Sequence, residues 1–206
     1  VPTHLEVHEL VSNCAFFYQL CPTSSLGVVT LQSVDQHLTE LNSPLKQAGL
    51  LLYSEIDSET STIAPAGQVV TLIAAKYNLN PYVLLTLSEM NFHLVTQPYE
   101  LRPTIEAAGE ESGNAWFSLQ LQNIAVELQK SAQTAQLAPN TLTEKSQLRS
   151  VKIGTQEVKM LGNFSLATQA IVEYFAAHSN SIEEVQTKLT TFLETYQKLW
   201  GVDPSQ

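Results

Sequence analysis

Between Val69 and Met90 the apolar residues recur at helical spacing, and a single interruption, Asn78-Leu79-Asn80-Pro81, divides the pattern. Proline is tolerated at the first position of a helix, where its missing N–H would have no partner anyway. An asparagine just before it offers a side-chain oxygen to a free N–H of the first turn. The spacing therefore predicts one helix up to Tyr77, a tight corner, and a second helix opened by Asn80 that runs to about Met90. A chain built around two apolar helices meeting at such a corner is committed to a helical core. Downstream, Asn114 to Ala135 carries Trp116, Leu119, Ala125, Leu128 and Ala132 along one stripe. Ser165 to His178 and Ile182 to Trp200 read as two more helices, the second opened by the capping box Ser181 to Glu184 and closed by Gly201 and Pro204.

Upstream the signals are mixed. Leu5 to Leu20 reads as a helix or a docked arm, stopped by Cys21-Pro22. Ser33 and Gln36 form a capping box for a short helix through Leu41, and Ser43-Pro44 restarts a turn of helix that ends at Gly49. Asp57 to Ala66 is a polar, proline-containing connection, which places a boundary between an N-terminal helical arm, residues 1–56, and a main domain, residues 57–206. Val151 to Met160 alternates apolar and charged residues on both sides of Gly154, predicting a β-hairpin at about 148–160 as the only convincing strand pair. The expected fold is mainly α with one small hairpin.

Composition narrows the function classes. The chain has 206 residues, 44% of them hydrophobic, enough for one domain with a substantial core. No apolar run approaches the roughly 20 residues of a membrane-spanning helix, so the chain reads as soluble. Ten Lys and Arg against 20 Asp and Glu give a net charge of −10, the wrong sign for a grip on nucleic acid or anionic lipid. The first 100 residues hold 2 basic and 9 acidic side chains, so a cation-attracting field sits over the first half. Only 15% of residues are charged, against roughly 25% in ordinary soluble domains. Ser, Thr and Gln together supply 54 of the 206 residues and keep the surface wet instead. That surface suggests an exported, cell-surface protein. The sequence opens with no basic and apolar leader, so any export signal is expected to have been removed or to lie outside the sequence.

The two cysteines, Cys14 and Cys21, either close a small disulfide loop or stay as buried thiols; joined by His4 and His8 they could instead make a four-ligand zinc site, a weaker reading. No metal or cofactor is expected. Asn163-Phe164-Ser165 has the form of a glycosylation sequon and equally suits a helix N-cap.

Signatures for phosphate loops, dinucleotide binding, esterases and zinc peptidases are absent, so an enzyme here would have to work with carboxylates. The segment Ala74 to Asn91 resembles the opening of the lysozyme-like fold shared by soluble lytic transglycosylases, in which a helix begun by proline delivers one general-acid glutamate to a glycan cleft. The pieces Asn80-Pro81 with Leu84-Leu85, Glu89, Val95-Thr96-Gln97-Pro98, the Gly154 hairpin, Ala167-Thr168-Gln169-Ala170 and Tyr196 to Pro204 resemble more closely the helical regions at the front of secreted bacterial cell-wall proteins that carry lysostaphin-type peptidase domains. The resemblance covers Leu31 to Pro204 and implies a lysozyme-like helical domain facing peptidoglycan. It also implies a cleft around Asn91, His93, Thr96, Gln97, Tyr99 and Glu100, with Glu89 as the one candidate catalytic acid and Glu100 or Glu106 as a second carboxylate.

Helical geometry bears on that acid. At about 100° per residue, Val83, Leu84, Leu87 and Met90 share one face, Asn91 falls within it, and Glu89 lies nearly opposite, as a solvated carboxylate. Transglycosylases place the acid at the position that Asn91 occupies here, and an amide has no proton to give. His93 reads as a surface or loop-packing residue. Trp116, Phe117, Tyr174, Phe175, Phe192, Tyr196 and Trp200 could stack on sugars, but their spacing makes most of them core. The expected function is a non-catalytic cell-envelope module that binds peptidoglycan glycan or docks a partner protein. The alternatives are an active glycosidase or lytic transglycosylase using Glu89, and a structural subunit of an extracellular assembly.

Overall fold

The computed structural model describes residues 4–18, 31–47, 50–54, 61–96, 116–137 and 149–205. Strand β1 (His4–Glu6) is followed by the short helix α1 (Asn13–Phe16), helices α2 (Leu31–Glu40) and α3 (Pro44–Gln47), and strands β2 (Leu50–Ser54) and β3 (Ser61–Pro65). Then come helices α4 (Ala66–Tyr77), α5 (Pro81–Phe92) and α6 (Trp116–Leu137), strands β4 (Arg149–Ile153) and β5 (Gln156–Leu161), and helices α7 (Leu166–Ala177) and α8 (Ile182–Trp200). The chain is mainly helical, as the spacing predicts. Among the described residues no helix is long and apolar enough to cross a membrane.

The corner forms for the expected reasons. Asn78 takes a left-handed conformation (φ 53°) that ends α4, and the Asn80 side chain accepts from the Tyr82 N–H at 2.9 Å to open α5. At the other end of the chain, the Ser181 hydroxyl caps α8 through the Glu184 N–H at 3.2 Å, and Gly201 (φ 69°) closes it. Ile182, Val185, Leu189, Phe192, Tyr196 and Leu199 repeat every three or four positions along α8 and are all buried. Each such burial contributes about 1.5–3 kcal/mol. Tyr82 stacks on Trp200 at 4.6 Å and the Trp200 indole N–H donates to Thr86 at 2.9 Å, fastening α8 across α5.

Four expectations need correction. Of the two readings for the N-terminal segment the docked arm stands and the helix is confined to α1, for the segment starts as a strand: β1 adds to β5 in parallel, with Leu5 beside Met160, in a sheet of order β1-β5-β4. Leu5 is then wholly buried between exposed His4 and Glu6, a strand period that a helical count over Leu5 to Leu20 averages away. Second, part of the supposed connection pairs: β3 is antiparallel to β2 with Leu52 beside Ile63, because Thr62 and Ile63 find an apolar run to pair with. Third, Ser33 and Gln36 lie inside α2, where Gln36 bonds Glu40 at 2.8 Å, so they are not a capping box. Fourth, Leu119 is 37% exposed, and the buried stripe of α6 runs instead through Leu121, Ala125, Leu128 and Ala132 with Ile124 beside it. The hairpin β4-β5 forms around Gly154 as expected. Buried residues from before and after position 57, among them Leu5, Val11, Val34, Leu38, Val70 and Leu84, belong to one hydrophobic cluster.

Cys14 is disulfide-bonded, which removes it as a thiolate ligand for zinc. The one other cysteine of the chain, Cys21, lies outside the described residues.

Candidate functional site

Helix α5 has no solvent face along most of its length: every residue from Pro81 to Glu89 is buried. Helices α4, α6 and α8 all pack on it, so the helical-face count that sets Glu89 in water does not apply. Glu89 is 8% exposed, whereas Asn91 is exposed and Met90 half-buried. The expected orientation is thus reversed at the end of the helix. The chain turns at His93, left-handed at φ 54°, whose N–H donates to the Glu89 carbonyl at 2.8 Å, and residues 94–96 fold back over the Glu89 side chain.

That turn consumes the carboxylate. The backbone N–H groups of Val95 and Thr96 donate to Glu89 Oε2 at 2.8 and 3.1 Å, and the Thr96 hydroxyl donates to Oε1. The His93 ring is mostly exposed, with Nδ1 3.9 Å from Oε1. Backbone N–H groups can only donate, so Oε2 is engaged as a double acceptor. A general acid must present a protonated oxygen that the leaving group can approach. The geometry at Glu89 is that of a clasp for the 94–96 turn.

The residues expected around this cleft separate. Asn91 turns outward into a cavity, while His93 and Thr96 stay on the turn and do not line it. Gln97, Tyr99, Glu100 and Glu106 lie outside the described residues.

The cavity that Asn91 reaches is a cleft of about 800 Å³ between the end of α5, the middle of α6, the end of α7 and the middle of α8. One side is a polar stripe on α6, Gln120, Asn123, Glu127 and Lys130, whose spacing of three, four and three residues keeps them on one helix face. The opposite side is Tyr174 and His178 of α7, and Ile124, Met90 and Phe175 supply apolar surface between them. His178 Nε2 lies 3.3 Å from a Glu127 oxygen and Nδ1 bonds the Tyr174 carbonyl at 2.7 Å, bridging the two sides. Lys188 is tied down by Glu184 at 2.9 Å, by the Ser179 hydroxyl at 3.1 Å and by the His178 carbonyl.

Tyr174 is buried, and its hydroxyl accepts from the Asn91 amide at 3.4 Å. Burial pushes its pKa up, the Glu127 charge adds to that, and the Asn91 hydrogen bond works the other way. The phenol therefore stays a proton donor at neutral pH. Asn91 and the rings Tyr174 and Phe175, all legible as candidates in the sequence, meet here, whereas the α6 residues of the wall carry no motif. The signal available was the i, i+3, i+7, i+10 run of polar side chains on the face of α6 next to its buried stripe.

Residues 33–206 match the family model described as LasA, N-terminal domain. Comparison with curated proteins and with solved structures returned no match. With more than half of its length covered by that match, the chain belongs to the LasA N-terminal domain family.

Proposed function

We propose that this chain is an exported, non-catalytic module that faces the cell wall and binds peptidoglycan glycan, and that its one candidate acid, Glu89, serves structure instead of chemistry. One observation carries the non-catalytic part: Glu89, the single candidate acid, has one oxygen held by two backbone N–H groups and the other by a hydroxyl of the same turn. The family supports the setting, since LasA is a staphylolytic peptidase and so acts on a bacterial wall. The disulfide at Cys14 supports export, because disulfides persist in oxidising compartments. The low charged fraction, 15%, suits a surface that approaches a hydroxyl-rich polymer through neutral hydrogen-bonding groups.

The test is co-sedimentation with purified insoluble peptidoglycan at low salt, with soluble muropeptides measured in the supernatant. Pelleting without release is the expected result. Release of muropeptides that Glu89→Gln abolishes would establish a glycosidase instead. Failure to pellet would leave docking to a partner protein as the role of the module.

A further inference from the structure

We propose that the cleft between α5, α6, α7 and α8 seats an N-acylated sugar that carries a carboxylate, a site assignment that rests on the wall-facing reading above. The cleft holds several polar groups whose hydrogen-bonding capacity the fold leaves open. Among the described residues the side-chain amides of Gln120 and Asn123 make no hydrogen bond, the Tyr174 hydroxyl proton has no acceptor, and Lys130 has no ion pair. Elsewhere in the lining, Lys188 is paired with Glu184, and a Glu127 oxygen lies 3.3 Å from the His178 ring.

Each open group selects a feature of the ligand. A side-chain amide both donates and accepts, so the Gln120 and Asn123 pair suits the N–H and C=O of an acylamino group. The Tyr174 phenol suits a sugar or acyl oxygen, and Ile124, Met90 and Phe175 offer apolar surface to the C–H face of a pyranose ring. Lys130 suits one carboxylate and no more, because Glu127 stands one turn away on the same helix face and repels a ligand dense in negative charge. A neutral sugar leaves Lys130 unmatched, and a polyphosphate meets Glu127.

Two substitutions at exposed positions test this without threatening the core, Lys130→Gln and Asn123→Ala. Calorimetric titration uses three probes: the disaccharide of N-acetylglucosamine and N-acetylmuramic acid without peptide, the neutral disaccharide of N-acetylglucosamine, and an N-acetyl dipeptide. The wild-type protein is expected to bind the acidic disaccharide most tightly. Lys130→Gln is expected to weaken that binding about fivefold, the upper range for an exposed ion pair, and to leave the neutral disaccharide unchanged. Asn123→Ala should weaken both sugars. Equal binding of both sugars, tighter binding of the dipeptide, or wild-type affinity in both variants would overturn the assignment.

The same proteins pelleted with insoluble peptidoglycan separate the two levels of the reading. If wild type and both variants pellet alike while the titrations show no difference, the cleft assignment falls and the wall-facing module stands. If the acidic disaccharide binds as expected but nothing pellets, the cleft assignment stands and the module's target is another acidic glycan.

Discussion

Replacing Glu89 distinguishes a clasp from an acid, because the two roles predict different orders among the same variants. In Glu89→Ala the N–H of wholly buried Val95 loses its acceptor, and the Thr96 N–H and hydroxyl lose theirs at the rim. An orphaned buried donor costs about 1–3 kcal/mol and a hydrogen bond to a charged group contributes about 1.5–3, so the alanine variant should lose about 3 kcal/mol. In Glu89→Gln the amide oxygen can still accept from both N–H groups while the amide nitrogen donates to Thr96 Oγ1. Only the charge assistance goes, and the loss should be about 1 kcal/mol. Thr96→Val removes one partner and should cost about 1 kcal/mol, and its combination with Glu89→Gln should cost less than the sum because both touch one network. Urea unfolding followed by circular dichroism reads these values as shifts of the midpoint at constant slope. The reasoning is refuted if Glu89→Ala unfolds within about 0.5 kcal/mol of wild type, the ordinary range for a surface change away from any such feature.

Three further substitutions probe the frame around the site. Gly162 has φ 139°, and a Cβ there would land on the Val7 carbonyl oxygen, so Gly162→Ala should release the β1 strand together with buried Leu5 and Val7. Strain and lost burial together predict a loss of about 3 kcal/mol or more, with faster hydrogen exchange confined first to the amides of residues 4–7. Burial pushes the Glu173 carboxyl up, the neighbouring Gln169 amide only partly opposing it, so the folded state holds that proton more tightly than the unfolded chain. Folding is therefore penalised as pH rises from the ordinary carboxyl value of 4.5 through the raised one, and Glu173→Gln should raise the melting temperature at neutral pH while changing nothing in acid. The Tyr196 hydroxyl is buried with no hydrogen-bond partner among the described residues, so Tyr196→Phe should leave the unfolding midpoint unchanged or raise it by up to about 1 kcal/mol of stability.

How legible each part was depends on the range of the interaction behind it. The Asn80-Pro81 start, the Ser181 cap and the Gly201 stop are decided within one helical turn, and the sequence states them directly. The Gly154 hairpin is nearly as local. What escaped is set by distant partners. β1 exists because β5, more than 150 residues later, offers an edge beside His4 to Glu6. Glu89 is buried because three helices and a returning turn cover α5, and a helical wheel drawn for one free face has no place for that. The cleft was half legible: Asn91 was singled out as the residue aimed at a functional surface, but its neighbours come from α6 and α7 instead of the stretch that follows it in sequence.

The segment upstream of the matched stretch also bears on the cleft. α7 carries Tyr174 and His178 to the cleft wall, and the start of α7 is held by Ser165 as its own cap and by Glu9, whose carboxylate accepts from the Ser165 N–H at 2.8 Å and from the hydroxyls of Ser165 and Thr168 at 2.6 Å. The Thr168 hydroxyl in turn accepts from the N–H groups of Leu10 and Val11, and Asn13 accepts from Ala167. The same segment bonds Pro204 through Ser12 and the α4–α5 corner through Phe16, so it ties the helix that brings Asn91 to the one that brings Tyr174. A rigid element contributes affinity by removing the entropy of arranging a site at the moment of binding. Residues 4–16 therefore hold the start of α7 and the α4–α5 corner in one frame without lining the cleft.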